Sequence, residues 1–287
     1  MTVQGDTKVT GVFGFPVEHS LSPAMHNAAF AALHLNYTYV PFSVAPENLG
    51  AALRGLPALG IIGVNLTIPH KEAALAYCDT ITGEARDIGA VNTIHIVGGR
   101  LVGDNTDGRG FYEPLREMGV SVADKNAVVI GAGGAARAVV FRLAREGARI
   151  TLVNRTPERA ARLAADVERA GFAPVAVLPP NQPKELTRKI AEAELLVHTT
   201  KVGMNPDPDA MPPIPLEALH SHLFVYDLIY RPAETVLLRT ARAQGCRTLN
   251  GVKMLVYQGA AAFERWTGQW PPTDVMEEEV RKILGIR

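Results

Sequence analysis

The stretch Ala127-Val128-Val129-Ile130-Gly131-Ala132-Gly133-Gly134 decides the fold class of this chain. Its four apolar residues predict a buried strand, and a glycine-rich turn with the spacing Gly131-x-Gly133-x-x-Ala136 follows at once. Helical sequence then runs to Glu146, and Arg149 to Val153 predicts a second strand. Glycines between a strand and a helix place backbone N–H groups against a pyrophosphate. The unit therefore predicts a Rossmann-type dinucleotide-binding domain.

The end of the second strand indicates which nicotinamide cofactor binds. NAD sites usually carry an acidic residue about 20 positions after the glycines, which binds the ribose 2′-hydroxyl. This chain has Asn154-Arg155-Thr156 there, followed by Arg159. A guanidinium offers forked donors to a 2′-phosphate, whereas an acid would repel it. The sequence therefore predicts NADP.

The composition argues against several other classes of protein. The chain has 287 residues, of which 47% are hydrophobic, and this predicts two domains with sizeable cores. Lys plus Arg and Asp plus Glu each number 29, so the basic excess of nucleic-acid binders is missing. The sequence shows no signal peptide, no apolar run of roughly 18 residues, and no metal-type spacing of histidines or of Cys78 and Cys246. We expect a cytoplasmic protein that binds neither nucleic acid nor membrane nor metal, and the choice between monomer and homodimer stays open.

Alternating strand and helix segments surround the glycine-rich unit, which predicts parallel α/β architecture throughout. We expect a first α/β domain over residues 1–107 and the dinucleotide-binding domain over residues 108–249. The remaining residues, 250–287, contain two predicted helices. The predicted segments of the first domain are strands at Lys8 to Phe13, Tyr37 to Phe42 and Ile61 to Leu66, helices at Ser22 to Leu35, at Glu47 to Leu59 and after Pro69, and a hairpin around Gly98-Gly99.

Polar clusters follow the predicted strands of the first domain, where ligands bind in open α/β sheets. They are His19 to Ser22, Asn65 to Lys71, and Asp104 to Asp107, and Asn92 lies in a further polar segment. The two serines favour a small anionic or hydroxylated ligand, although Ser22 before Pro23 also suits a helix cap.

These segments together resemble shikimate dehydrogenases. The resemblance runs in order from about residue 11 to residue 268, and the set is specific although no single motif is. It implies a substrate domain, an NADP domain, and C-terminal helices that return to the substrate domain. It also implies a reaction in a cleft between the domains, which interconverts 3-dehydroshikimate and shikimate on the route to chorismate and aromatic amino acids. The matching segments are Gly14 to Pro23, Asn65 to Lys71, Gly89 to Thr93, Gly103 to Gly108, Gly131 to Ala135, Asn154 to Thr156, Asp227 to Tyr230, and Gly251 to Ala260.

The resemblance further implies roles for single residues. Lys71 and Asp107 are the implied catalytic pair, because a cation beside the substrate carbonyl stabilises developing charge and supplies a proton. Whether Lys71 gives up the proton itself or a relay through Asp107 does stays open. The implied substrate residues are Ser20, Ser22, Asn65, Thr67, Asn92, Tyr230 and Gln258, of which the serines and Tyr230 hold a carboxylate. The implied cofactor residues are Gly131, Ala132, Gly133, Gly134, Ala135, Asn154, Arg155, Thr156, Arg159, Thr200, Leu228, Gly251 and Met254.

One segment departs from the family pattern. The family usually has Asn before the Thr-Ser pair that precedes Gly-Met, whereas this chain has His198-Thr199-Thr200-Lys201-Val202-Gly203-Met204. The roles of His198 and Lys201 therefore stay open.

Two other functions remain as alternatives. One is a quinate/shikimate dehydrogenase of broader specificity with NADP or NAD as its cofactor, and Arg155 argues against the use of NAD. The other is an inactive sensor that binds NADP and shikimate-like ligands, against which the intact Lys71 and Asp107 argue.

Overall fold

The computed structural model describes residues 3–179 and 181–286, and its chain splits into two compact units. The N-terminal unit contains the chain up to Gly110 and again from Leu255 onward, and the central unit is Phe111–Met254. The strands are β1 (Lys8–Gly14), β2 (Tyr37–Ser43), β3 (Ile61–Leu66), β4 (Thr80–Ile81), β5 (Thr93–Val97), β6 (Arg100–Asp104), β7 (Asn126–Ile130), β8 (Arg149–Val153), β9 (Ala176–Leu178), β10 (Leu195–His198), β11 (Phe224–Asp227) and β12 (Arg247–Leu249). The helices are α1 (Ser22–Ala32), α2 (Leu49–Gly55), α3 (Gly83–Ile88), α4 (Asp107–Glu117), α5 (Gly134–Arg145), α6 (Pro157–Arg169), α7 (Pro183–Ala191), α8 (Val236–Ala243), α9 (Val252–Thr267) and α10 (Thr273–Leu284).

The sheet of the N-terminal unit has the order β2-β1-β3-β5-β6-β4. β1 is parallel to β2 and β3, whereas β5 runs antiparallel to both β3 and β6. The start of β5 therefore lies beside the ends of β3 and β6, with Thr93 paired to Asn65 on one side and to Asp104 on the other. Phe13 near the end of β1 pairs with Leu66. This register gathers the predicted polar clusters at one edge of the sheet.

The sheet of the central unit has the order β12-β11-β10-β7-β8-β9 and is parallel at every pairing. Its four central strands, β7, β8, β10 and β11, are mostly apolar and buried, as expected for a parallel sheet covered by helices. The strand order reverses between β7 and β10, and ligands of such sheets bind in the crevice at that switch point. The predicted α/β fold class with a Rossmann-type unit is confirmed.

The two C-terminal helices pack within the N-terminal unit. The Trp266 indole N–H donates to the carbonyl oxygen of Ile94 at 3.0 Å, and Arg265 pairs with Asp104 at 2.9 Å. Phe263 stacks on Phe30 of α1, with ring centroids 4.7 Å apart. The predicted return of these helices to the first unit is therefore confirmed.

Three local predictions for the first unit are wrong. α1 ends at Ala32, short of the predicted Leu35, and Leu21 rather than Ser22 is the N-cap, without a side-chain hydrogen bond. The predicted helix from Glu47 to Leu59 is divided into a 3₁₀ turn and the shorter α2. Pro69 starts no α-helix, because the chain forms a turn there and then a 3₁₀ segment at Ala73–Tyr77.

Candidate active site

A short ion pair lies at the edge of the N-terminal unit's sheet where β3 and β6 end. Lys71 follows β3, Asp107 opens α4 directly after β6, and Lys71 Nζ lies 2.6 Å from Asp107 Oδ2. The lysine side chain is 33% exposed and the aspartate side chain 11%, so the ammonium group is the more accessible partner. A carboxylate at the first turn of a helix is also favoured by the helix dipole. The pair thus offers an accessible cation held by a shielded anion.

Asn92 holds the other oxygen of this carboxylate. Its Nδ2 donates to Asp107 Oδ1 at 2.8 Å and to Thr106 Oγ1 at 3.0 Å. Its Oδ1 accepts from the Thr106 backbone N–H at 2.8 Å and from Thr93 Oγ1 at 2.9 Å. Both amide hydrogens of Asn92 are therefore used inside the protein, and they fix the orientation of Asp107.

A hydrogen-bonded chain continues from Asn92 to the serines. Asn65 Nδ2 donates to the backbone oxygen of Asn92 at 3.2 Å, and Asn65 Oδ1 accepts from the Tyr39 hydroxyl at 2.8 Å. Ser22 hydrogen-bonds to the same Tyr39, and its backbone N–H donates to Ser20 Oγ at 3.3 Å. Burial raises the pKa of Tyr39, and the contact with Ser22 acts in the opposite direction. Five of the predicted residues are thereby linked in one network that starts at Asp107.

Two further predicted substrate residues pack closely against glycines: Thr67 against Gly14 of β1, and Gln258 against Gly110 of α4. A Cβ atom on Gly14 would come within 2.5 Å of Thr67 Cγ2, so β1 can approach Thr67 only with glycine at that position. The Thr67 hydroxyl makes no hydrogen bond to any described residue. Gly110 of α4 allows Gln258 to pack just as closely, because a Cβ there would meet the Gln258 backbone N at 2.7 Å. The Gln258 Nε2 bonds to the Leu255 carbonyl oxygen, which leaves Oε1 for a ligand.

The glycine-rich turn of the central unit has the form that a pyrophosphate requires. Gly131 has a φ of +117°, which favours glycine, and a Cβ there would lie 2.3 Å from Thr199 Oγ1. Space is open beside Gly133 and Gly134, where an added Cβ would meet nothing within 4 Å. The first N–H groups of α5 point into this space without a side-chain cap. Gly131, Ala132, Gly133, Gly134 and Ala135 therefore form an accessible helix N-terminus that fits an anion.

Two free guanidinium groups follow the second strand of this unit. Arg155 and Arg159 are exposed, and neither has a carboxylate partner in residues 3–179 and 181–286. Asn154 Nδ2 donates to the backbone oxygen of Thr156 at 2.8 Å, which fixes the turn that carries Arg155. The strand end holds no acid, so the residues present fit a 2′-phosphate rather than a free 2′-hydroxyl.

The remaining predicted cofactor residues of the central unit lie after β10, after β11 and around the start of α9: Thr200, Leu228, Gly251 and Met254. Gly251 packs against Leu228, since a Cβ on Gly251 would come within 2.0 Å of the Leu228 carbonyl oxygen. Thr200 lies beside Gly131 and also bonds to His198. Met254 and Tyr230 are half-buried, and burial raises the pKa of Tyr230, while Arg231 lowers it. Tyr230 belongs to the central unit, whereas Ser20 and Ser22 belong to the N-terminal unit.

Sequence reasoning missed the residues that support the network. Tyr39, Thr93 and Thr106 are almost fully buried, yet their hydroxyls join the predicted site residues. Tyr39 lies in the predicted strand Tyr37 to Phe42, but the sequence does not show that its hydroxyl faces Asn65. Within the described part of the chain, no three acidic, histidine or cysteine side chains are grouped to hold a metal ion. The helices of the described residues include none that is long and apolar enough to cross a bilayer.

A parallel sheet with a glycine-rich turn after β7, together with a second α/β unit that presents a Lys–Asp pair, is typical of a dinucleotide-dependent oxidoreductase. Family models agree with this class. The shikimate dehydrogenase substrate binding domain matches residues 12–94, the shikimate / quinate 5-dehydrogenase model residues 115–203, and the shikimate 5′-dehydrogenase C-terminal domain residues 251–281. The chain belongs to the shikimate dehydrogenase family.

Individual relatives cover almost the whole chain. The shikimate dehydrogenase (NADP(+)) of Symbiobacterium thermophilum is 51% identical and covers 96% of this chain and 94% of its own length. The Thermus thermophilus shikimate 5-dehydrogenase, solved with NADP(H) and shikimate, is 42% identical with a TM-score of 0.85, over 96% of this chain and 99% of that one. The Listeria monocytogenes enzyme, solved with shikimate and NAD, is 35% identical with a TM-score of 0.94, over 98% of each chain.

Proposed function

We propose that this chain catalyses the NADP-dependent interconversion of 3-dehydroshikimate and shikimate. The observation that carries the proposal is the accessible Lys71 ammonium held at 2.6 Å by Asp107 in a member of this family. The N-terminal unit is the substrate domain, completed by the C-terminal helices, and the central unit is the NADP domain. Cys78 and Cys246 are free thiols, which supports a cytoplasmic setting.

Lys71 acts on the carbonyl oxygen of the substrate. NADPH, when bound, supplies the hydride that reduces the ring ketone. Negative charge then develops on the oxygen, and a positioned ammonium group stabilises that charge and donates the proton. Asp107 orients the ammonium group and favours its charged form. Because Asn92 holds the second carboxylate oxygen, Asp107 cannot rotate freely away from Lys71.

The other predicted residues of the N-terminal unit recognise the substrate. Ser20 and Ser22 hold its carboxylate, with help from Tyr230, and Thr67 and Gln258 contact ring hydroxyls through the free hydroxyl and Oε1 described above. Asn65 lines the same pocket. Asn92 contacts a ring hydroxyl by exchanging one of its present hydrogen bonds, since both of its N–H groups and both lone pairs of its Oδ1 are already engaged.

The central unit fits NADP through its own residues. The N–H groups at Gly133 and Gly134 suit the pyrophosphate, and the unpaired Arg155 and Arg159 suit the 2′-phosphate. Leu228, Gly251 and Met254 border the nicotinamide, and Thr200 contributes from the loop after β10.

Initial rates with four substrate and cofactor combinations test the proposal. Purified protein should reduce NADP⁺ with shikimate, and should work much more slowly with quinate in place of shikimate or NAD⁺ in place of NADP⁺. Comparable rates with quinate and NAD⁺ would favour the broader dehydrogenase instead. Binding of NADP and shikimate without turnover would favour the sensor.

A further inference from the structure

A buried histidine–aspartate pair lies at the adjacent ends of β10 and β11. His198 ends β10 and Asp227 ends β11, and the two are paired directly in the parallel register. Both side chains are fully buried, and His198 Nδ1 lies 2.9 Å from Asp227 Oδ1. The proposed mechanism does not use this pair, and His198 stands where the family usually has Asn.

The carboxylate of Asp227 is held from three directions. Besides His198, it accepts from the backbone N–H of Ile229 at 3.1 Å and from Thr235 Oγ1 at 2.6 Å. A carboxylate can only accept, so Nδ1 of His198 must carry a hydrogen. In the neutral ring Nε2 is then an acceptor, and this fixes the tautomer.

The tautomer decides the direction of the next hydrogen bond. His198 Nε2 lies 2.6 Å from Thr200 Oγ1, so the Thr200 hydroxyl donates to the ring. Thr200 Oγ1 also accepts from the Val202 backbone N–H at 3.2 Å. These two contacts fix the orientation of the Thr200 hydroxyl. One lone pair of its oxygen remains free to accept a hydrogen bond from a ligand.

The Thr199–Thr200 segment packs against the dinucleotide turn. Thr199 Oγ1 donates to the carbonyl oxygen of Ile130 at 2.8 Å, and a Cβ on Gly131 would lie 3.0 Å from Thr200 Cγ2. β7 and β10 flank the switch point of the sheet, where a dinucleotide binds. A change in the position of Thr200 would therefore displace the loop that faces the glycine-rich turn.

We infer that His198 is a positioning residue for the cofactor: supported by Asp227, it orients Thr200 and sets the loop that faces Gly131. The inference rests on the proposed NADP function. Its ligand-side group is the Thr200 hydroxyl, and His198 itself touches no ligand. The family's Asn would be too short to make both contacts that the histidine makes.

Two replacements of His198 separate its contacts. Asparagine places an amide near the position of Nδ1 and keeps the Asp227 contact, whereas glutamine reaches the position of Nε2 and keeps the Thr200 contact. If the Thr200 contact supports the cofactor, His198→Asn should raise the dissociation constant for NADP about three- to tenfold, the effect of one lost hydrogen bond. His198→Gln should bind NADP nearly as the wild type does, although its melting temperature should fall because Asp227 loses a donor.

Substitutions of Thr200 test the other partner of the same hydrogen bond, since they leave the buried His198–Asp227 pair in place. Thr200→Val should raise the NADP dissociation constant at least as much as His198→Asn, because it removes the ligand-side hydroxyl itself, and Thr200→Ser should restore most of the affinity because it keeps that hydroxyl. The double variant His198→Asn/Thr200→Val should bind no more weakly than the weaker single variant. The KM for shikimate should change little in all of them.

Fluorescence titration with NADP and thermal melts measure these effects without turnover. A His198→Asn protein with wild-type NADP affinity and only a lower melting temperature would overturn the inference, as would additive losses in the double variant. Wild-type protein that fails to bind NADP would instead refute the proposed function, so the two failures are distinguishable.

Discussion

Asn92 Nδ2 donates to Asp107 Oδ1 at 2.8 Å, on the side of the carboxylate opposite to the oxygen that Lys71 holds. The asparagine is 1% exposed, and the remaining hydrogen bonds of its side chain reach Thr93 and Thr106. The orientation of the Lys71–Asp107 pair is therefore set by the interior of the sheet rather than by solvent.

The first prediction follows from this contact. Asn92→Ala should lower kcat about 10- to 100-fold, because a hydrogen bond to a charged group contributes about 1.5–3 kcal/mol. Steady-state kinetics check it, with Asn126→Ala in the central unit as a matched amide control. Unchanged kcat in Asn92→Ala would show that Asp107 needs no such support.

Ser22 tests the carboxylate site. Since Ser22 is not the N-cap of α1, Ser22→Ala should lower the melting temperature only slightly, through the lost hydrogen bond to Tyr39 that contributes about 0.5–1.5 kcal/mol. It should raise the KM for shikimate about 10- to 100-fold if the hydroxyl binds a carboxylate, with NADP affinity unaffected. Kinetics and melts on the same preparation separate the two effects, and a normal KM would remove Ser22 from the site.

Arg155 tests the cofactor preference. Arg155→Ala should weaken NADP binding about 10- to 100-fold through the lost contact with the 2′-phosphate, while NAD binding stays nearly constant. Arg162→Ala, which removes another exposed guanidinium from α6, is the matched control. Equal losses for both cofactors would contradict the assignment of Arg155.

His26 gives a prediction for pH. Its ring is fully buried and stacks on Tyr39 at 4.3 Å, its two nitrogens have no hydrogen-bond partner among the described residues, and burial lowers its pKa from 6.5 to about 3. Between those values the unfolded chain binds the proton and the folded chain does not. Stability contributed by His26 is therefore present above pH 6.5 and is lost as the pH falls towards 3, by about 2 kcal/mol at pH 5.

Denaturant unfolding at pH 7 and pH 5 measures this loss. His26→Leu removes the titrating group, so the loss of stability between the two pH values should be smaller in this variant by about 2 kcal/mol. Equal losses in the variant and the wild type would show that His26 is protonated in the folded protein.

The sequence predicted the parts of this fold that depend on local pattern. The β7–α5–β8 unit follows directly from Val128 to Ile130 and the glycines, and the two helices predicted within residues 250–287 are present as α9 and α10. The helix expected after Pro69 is absent, because residue 70 onward forms a turn whose His70 side chain bonds to the Val44 carbonyl oxygen. That contact lies 26 residues away in sequence, and no local pattern reports it.

The sequence predicts the candidate site as a set of residues but not as a network. Motif resemblance supplied Asn65 and Asn92, whereas their partners Tyr39, Thr93 and Thr106 follow only from the pairing of the strands, above all that of β5 with β3 and β6. His198 was visible as a departure from the pattern. Its partner Asp227 becomes apparent only when β10 and β11 are paired.

Lys71 carries the central claim, which is that its ammonium group stabilises the transition state of ketone reduction. Positioned acid–base groups contribute about 10²–10⁴-fold to rate. Asp107→Ala should also lower kcat, and the double variant should lose far less than the product of the single losses if the two residues act as a unit.

The most direct measurement is kcat of Lys71→Ala with saturating NADPH and 3-dehydroshikimate. The predicted result is a fall of about 10²–10⁴-fold with little change in the KM for the substrate, which is the signature of an interaction made mainly in the transition state. A folded Lys71→Ala enzyme with near wild-type kcat would contradict the account.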